Sequence, residues 1–283
     1  MSDDKVKTFA GVTLDVPLVM GIVNVTPDSF SDGGRYLGLE TAIAHGRRLA
    51  AVGAALIDVG GESTRPGAAP VSPEEEIART VPVIRALAGE GIRVSIDTRH
   101  AAVMAAAVEA GAVLINDISA LEGDPDSLAV AARSGASVVL MHMQGQPSDM
   151  QADPVYQDAP REVRHYLSAR IEACLDAGIP RDKLCVDPGI GFGKTLDHNL
   201  QLLVALGDLQ ALGVPVLLGV SRKSFIGALS RREPPEQRLG GSLAAALVGL
   251  ESGVKILRVH DVAETVQAVA VWHAIKSLQS KRS

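Results

Sequence analysis

Aromatic side chains are scarce in this chain of 283 residues: four Phe, three Tyr and one Trp, 3% of the total. With 47% hydrophobic residues a large core is still possible, and it must be built from Val, Ile, Leu and Ala. Cysteine is nearly absent. Cys174 and Cys185 alone argue against a disulfide framework and point to a reducing cytosol. A large excess of one charge is missing too: the net −6 at neutral pH argues against nucleic acid or an anionic membrane as the main partner. The start, Met1 to Lys7, is polar and charged, so no secretory signal is read there. No apolar run approaches the ~20 residues of a membrane span. A soluble cytoplasmic protein is expected. The His and Cys residues lack transition-metal spacing, so no structural zinc is expected. No Gly-x-Ser-x-Gly elbow is present. Gly189 to Thr195 resembles a Walker A loop, but Pro188 stands where its first glycine is required. That loop is read as one that lets backbone approach a flat ligand, with Lys194 outside.

What the chain does have is a repeated ending. Short apolar runs close on residues able to do chemistry: Ile22-Val23-Asn24, Leu56-Ile57-Asp58, Val94 to Asp97, Leu114 to Asp117, Val139 to His142, Leu184 to Asp187, Leu217 to Ser221 and Ile256 to His260. Between them lie Ala-, Leu- and Glu-rich stretches with helical spacing. Helices are predicted near 39–52, 73–89, 99–110, 125–134, 159–177, 197–212, 237–251 and 261–278. Two starts are well marked, by Ser72-Pro73-Glu74-Glu75 and by Asp124-Pro125. Eight strands alternating with helices spell an α/β fold, a (β/α)8 TIM barrel, whose active site lies at the C-terminal strand ends. Such barrels run to about 250 residues, so residues 1–283 make one domain. A short N-terminal β-hairpin over 8–16 would cap the lower end. The long connections 25–38, 60–72 and 143–160 all fall on the catalytic rim, where such loops serve as lids or binding loops.

Asp97, Asn116 and Asp187 end the third, fourth and sixth strands. Two carboxylates and a carboxamide can match a planar heterocycle that carries N–H donors beside a carbonyl. A lone Asp more often caps a helix or forms an ion pair; three such groups on nearby strand ends favour the ligand. Ser221-Arg222-Lys223-Ser224 follows the seventh strand and opens a helix, with a hydroxyl, free N–H groups and a cation for an anion. Arg258 and His260, after the eighth strand, stand where such barrels bind phosphate. Each has a plainer alternative: Arg222 pairing with an acid, His260 serving as a structural imidazole. Asn24 offers a neutral oxygen to a Mg2+ held mainly by pyrophosphate and water.

Taken in order, these segments resemble dihydropteroate synthase. The matching stretches are Asn24 to Gly34, Gly60 to Gly67, Ser95 to Thr98, Ile115 to Asp117, Met141 to Gly145, Asp187 to Lys194, Ser221 to Ser224 and Arg258 to Asp261. The resemblance runs from about residue 18 to the end. It implies a dimeric barrel that joins 6-hydroxymethyl-7,8-dihydropterin diphosphate to p-aminobenzoate, giving dihydropteroate and pyrophosphate. It further implies that Asp97, Asn116, Asp187 and Lys223 hold the pterin, with Met141 against its face. Arg258, His260 and Asn24 with Mg2+ would hold the diphosphate, with Thr64 and Arg65 closing over it. The p-aminobenzoate would lie among Phe30, Thr64, Pro66 and Lys223, its carboxylate on Ser224, where sulfonamides would compete. Lys223, Asp97, Asp187 and Arg258 would carry the chemistry, a dissociative loss of pyrophosphate before arylamine attack.

Three other readings are weighed. A methyltetrahydrofolate–corrinoid methyltransferase shares the Asp and Asn slot but has no use for a diphosphate site or for Ser63-Thr64-Arg65-Pro66. A silent pterin-binding paralogue is disfavoured by intact Asn24, Arg65, Lys223 and Arg258. A sugar-phosphate barrel would need an acid–base pair that is not found. The apolar stretch 242–250 is either a dimer interface or an ordinary barrel-facing helix. Asp58, Asp117 and His142 are read as supporting groups at the rim without a direct role.

Overall fold

A computed structural model describes residues 8–25, 34–63 and 70–280. Eight parallel strands form one sheet: β3 (Leu18–Asn24), β4 (Leu56–Gly60), β5 (Val94–Asp97), β6 (Leu114–Asp117), β7 (Ser137–Met141), β8 (Leu184–Asp187), β9 (Leu217–Leu218) and β10 (Ile256–Val259). Each pairs with its neighbour in sequence, and β10 returns to β3. The ring closes where Val186 pairs with Val216 in parallel and Val186 N donates to Pro215 O at 3.0 Å. This is the expected (β/α)8 barrel.

The helices are α1 (Gly34–Ala51), α2 (Pro73–Gly89), α3 (Ala101–Glu109), α4 (Ser127–Ser134), α5 (Ala159–Asp176), α6 (Leu196–Val204), α7 (Ser224–Leu229), α8 (Leu239–Glu251) and α9 (Val262–Ser280). Two differ from expectation in kind. Helix α1 begins five residues earlier than expected, at Gly34. The single helix expected over 197–212 is α6 followed by a 3-10 stretch, Leu206–Leu212. Gly207 sits at that change and weakens helical propensity there. Helix α2 starts as its sequence dictates, with the Ser72 hydroxyl accepting from Glu75 N at 3.2 Å. Asp124 instead serves the preceding helix, accepting from Ala101 N at 2.9 Å.

The hairpin is present as β1 (Thr8–Phe9) and β2 (Val12–Thr13), turned by Ala10 and Gly11 at φ 48° and 73°. Its Phe9, Ala10 and Leu14 pack with Leu18, Met20, Leu56, Leu114, Val139, Cys185, Leu217 and Ile256 into one buried cluster. That cluster plugs the N-terminal end of the barrel. A second, larger aliphatic cluster lies between strands and helices, as the scarcity of aromatics requires. No helix among the described residues is long and apolar enough to cross a membrane.

Candidate functional site

Alternation along the strands places polar groups above the apolar plug. Two residues beyond Leu56, Leu114, Cys185 and Ile256 come Asp58, Asn116, Asp187 and Arg258, on the same strands and the same face. Asp97 is the register partner of Asn116, and Met141 that of Asp187. Four consecutive strands, β5 to β8, therefore supply Asp97, Asn116, Met141 and Asp187. From β10, Arg258 reaches back to tie this layer together. Its Nε donates to Asp58 Oδ2 and its Nη2 to Asp97 Oδ2, both at 2.6 Å. Asn116 Nδ2 donates to the same Asp58 Oδ2 at 3.1 Å.

Burial sets the electrostatics. It pushes the Asp97 carboxyl up to about 7, Arg258 pulling it back while Asp58, Glu76 and Asp117 push it further. Asp187 is raised by burial as well, opposed by Gly189 N, which donates to its Oδ1 at 2.7 Å. Lys223 caps α7, its Nζ 4.0 Å from the Phe192 ring centroid; burial lowers it to about 8. Ser224 is exposed at the first turn of α7. Ser221 Oγ lies 3.0 Å from His260 Nδ1 and accepts from His260 N at 3.2 Å. Both contacts hold the imidazole ring of His260 in place beside Ser221. Burial lowers His260 to about 4, so it is neutral at pH 7. Arg222, at φ 60°, pairs with Asp261, Nε to Oδ2 at 3.0 Å.

The glycine loop after β8 is a correction. Lys194 does not lie outside; it is 2% exposed. Its Nζ is 3.0 Å from His142 Nδ1 and donates to Phe192 O at 2.9 Å. Burial depresses it to about 7 and the facing His142 to about 3. Two of the glycines make room for protein backbone rather than ligand. A Cβ on Gly189 (φ +68°) would sit 1.9 Å from His142 O, and one on Gly193 (φ +58°) 2.2 Å from Gln144 O. Gly191 faces the Lys223 side chain. The connection after β7 is fastened to this loop, Tyr156 OH donating to Gly193 O at 2.8 Å and Gln151 Nε2 to Gly191 O at 2.6 Å.

A profile of the pterin-binding enzymes matches residues 20–260. The dihydropteroate synthase of Escherichia coli K12 is 48% identical over 280 residues, 98% of this chain and 99% of the relative. The chain belongs to the dihydropteroate synthase family. Among solved structures, the Yersinia pestis dihydropteroate synthase with a sulfonamide drug superposes with a TM-score of 0.89 at 50% identity, covering 94% of this chain and 96% of that one. The Xanthomonas albilineans enzyme in complex with 7,8-dihydropteroate gives 0.83 at 47% identity, covering 94% and 95%. The activity is that of a dihydropteroate synthase: condensation of 6-hydroxymethyl-7,8-dihydropterin diphosphate with p-aminobenzoate.

Of the residues that the family resemblance singles out, Phe30, Thr64, Arg65 and Pro66 lie outside the described residues. Asp97, Asn116, Met141, Asp187, Lys223, Arg258 and His260 come together at the C-terminal mouth of the barrel. Asn24 stands exposed at the end of β3, with Gly60 as register partner. Its carboxamide oxygen fits a hard cation such as Mg2+, which takes one or two protein ligands beside phosphate and water. Among the described residues no three His, Cys, Asp or Glu side chains cluster to hold a metal. The supporting groups do more than their sequence suggested. Asp117 accepts from Ser119 N, Ser119 Oγ and Leu121 N at 2.7, 2.6 and 2.9 Å, holding Ala120 and Leu121 at φ 51° and 65°. Glu62 takes Arg99 Nε at 3.1 Å and Val71 N at 3.2 Å, joining both sides of the 64–69 connection.

Proposed function

We propose that the polar layer over the apolar plug is the pterin slot of this synthase. What supports this most is one arrangement: Arg258 bridging Asp58 and Asp97, beside Asn116 and a buried Asp187. Carboxylates at Asp97 and Asp187 accept the ring and amino N–H groups of the pterin, with Met141 against its face. Lys223 closes the slot beside Phe192. Arg258 and His260 hold the diphosphate, with Thr64 and Arg65 covering it. Mg2+, when bound at Asn24 and the diphosphate, supplies further neutralisation of the leaving group.

In the reaction the methylene C–O bond breaks and pyrophosphate departs with the electron pair. Arg258 and His260 stabilise the charge that grows on it. The pterin-stabilised cation is held electrostatically by Asp97 and Asp187. The p-aminobenzoate, among Phe30, Thr64, Pro66 and Lys223 with its carboxylate on Ser224, attacks through its neutral amine, and the ammonium proton passes to water. No general base is needed. Binding is ordered, pterin first, and sulfonamides compete for the second subsite; tight p-aminobenzoate binding without pyrophosphate would contradict the order. Two buried free thiols, Cys174 and Cys185, accord with the cytoplasm. A homodimer is supported by exposed Val271, Ile275 and Leu278, one stripe of α9, and by exposed Val248 on α8; a single-chain mass in light scattering would contradict it.

The test is pyrophosphate release from dihydropterin diphosphate, Mg2+ and p-aminobenzoate. Release is expected to depend on p-aminobenzoate and to collapse in Asp97→Ala and Lys223→Ala. Undiminished turnover in both variants would overturn the slot.

A further inference from the structure

Asp58 is fully buried, and two of the site's side chains converge on one of its oxygens. We infer that Asp58 is a positioning residue that fixes the donor–acceptor pattern of the slot through Asn116 and Arg258. A carboxylate beside a guanidinium can only accept. The atom of Asn116 facing it must therefore be the Nδ2 amide, which leaves Asn116 Oδ1 as the acceptor free for a ligand N–H. Without that partner the carboxamide could turn over, and the slot would offer a donor where the ligand also donates. The same oxygen takes Arg258 Nε, so the guanidinium plane is set by Asp58 while Nη2 remains on Asp97. Among the described residues the second oxygen, Oδ1, has no partner, and the hydrogen bonds that this buried carboxylate accepts come from the two site residues. Two further consequences follow. The ligand class is a heterocycle whose N–H points at Asn116. And Asp58 contributes negative charge beside Asp97, which is also faced by Arg258, Glu76, Asp117 and Lys223.

The inference rests on the slot reading, and the test separates the two. Calorimetric binding of 6-hydroxymethyl-7,8-dihydropterin diphosphate would be compared in wild type, Asp58→Asn, Asp58→Leu and Asn116→Asp, with Asp97→Ala as control. Asn116→Asp sets two carboxylates against each other and is expected to weaken binding about 100-fold. Asp58→Leu removes the acceptor shared by Asn116 Nδ2 and Arg258 Nε and is expected to weaken it by a similar factor. Asp58→Asn keeps the acceptor but loses the charge: a modest rise in KM is expected, with the acid limb of kcat/KM moved to lower pH. Binding in Asp58→Leu within a few-fold of wild type, or an acid limb that stays in place, would overturn the role of Asp58. Unchanged binding in Asp97→Ala would instead overturn the slot itself.

Discussion

The lower and upper halves of this barrel are built by the same strands and obey opposite chemistry. Below, Leu56, Leu114, Cys185 and Ile256 pack against Phe9 of the hairpin in one apolar cluster. One alternation higher, the same strands present Asp58, Asn116, Asp187 and Arg258. The apolar layer stabilises, since each fully buried Leu or Ile contributes about 1.5–3 kcal/mol. The polar layer does not: a buried ion pair recovers its desolvation cost only with excellent geometry. A barrel with no ligand to bind would gain by continuing the apolar layers upward. The upper layer is therefore held for recognition by a plug that supplies the stability.

The largest effect should come from breaking the upper layer. Arg258→Met leaves Asp58 and Asp97 facing each other unpaired, and kcat/KM is expected to fall about a thousandfold or more. Replacing all three, Asp58→Leu, Asp97→Leu and Arg258→Met, is expected to give an inactive protein at least as resistant to urea as the wild type. A triple variant that unfolds far more easily would show that the layer is structural. Next, Leu114→Ala in the plug is expected to cost about 2–5 kcal/mol in urea unfolding while leaving kcat/KM of the folded enzyme unchanged.

The pH response sharpens the contrast, because the upper layer carries groups that titrate near neutral pH. Asp97 holds its proton to about 7 in the fold against an ordinary 3.8. The folded state thus binds more protons between those values, and the stability contributed there is full below 3.8 and lost as pH rises to 7. Asp97→Asn should accordingly gain in melting temperature on the wild type between about pH 4 and 7. In kcat/KM, Asp97 must lose its proton near 7 and Lys223 keep its own to near 8, giving a bell with a narrow top. Lys223→Arg is expected to remove the alkaline limb. Smallest of all, Ile256→Val in the plug should cost about 0.5–1.5 kcal/mol and leave the bell in place.

Much of this was legible in the residues. Apolar runs closing on Asp, Asn and Arg reveal the strands, and period-two alternation turns their ends into a common rim. What escaped has a physical reason. Asp58 earns its role from Arg258, 200 residues away in the chain, and no local pattern reports such a pair. Lys194 follows three glycines and looks exposed, yet its amine finds His142, just past the end of β7. The helix expected over 197–212 breaks beside Gly207, a weak local signal against a strong apolar period. The family resemblance singled out Asp97, Asn116, Asp187 and Arg258 for the proposed slot; the partners that support them were visible only once the strands were side by side.

Direct binding of 6-hydroxymethyl-7,8-dihydropterin diphosphate, measured by calorimetry without p-aminobenzoate, would separate the two layers in one experiment. Wild type and Leu114→Ala should bind alike, and Asp97→Asn should bind about 100-fold more weakly. Equal affinity in wild type and Asp97→Asn would contradict the assignment of the polar layer as the pterin slot.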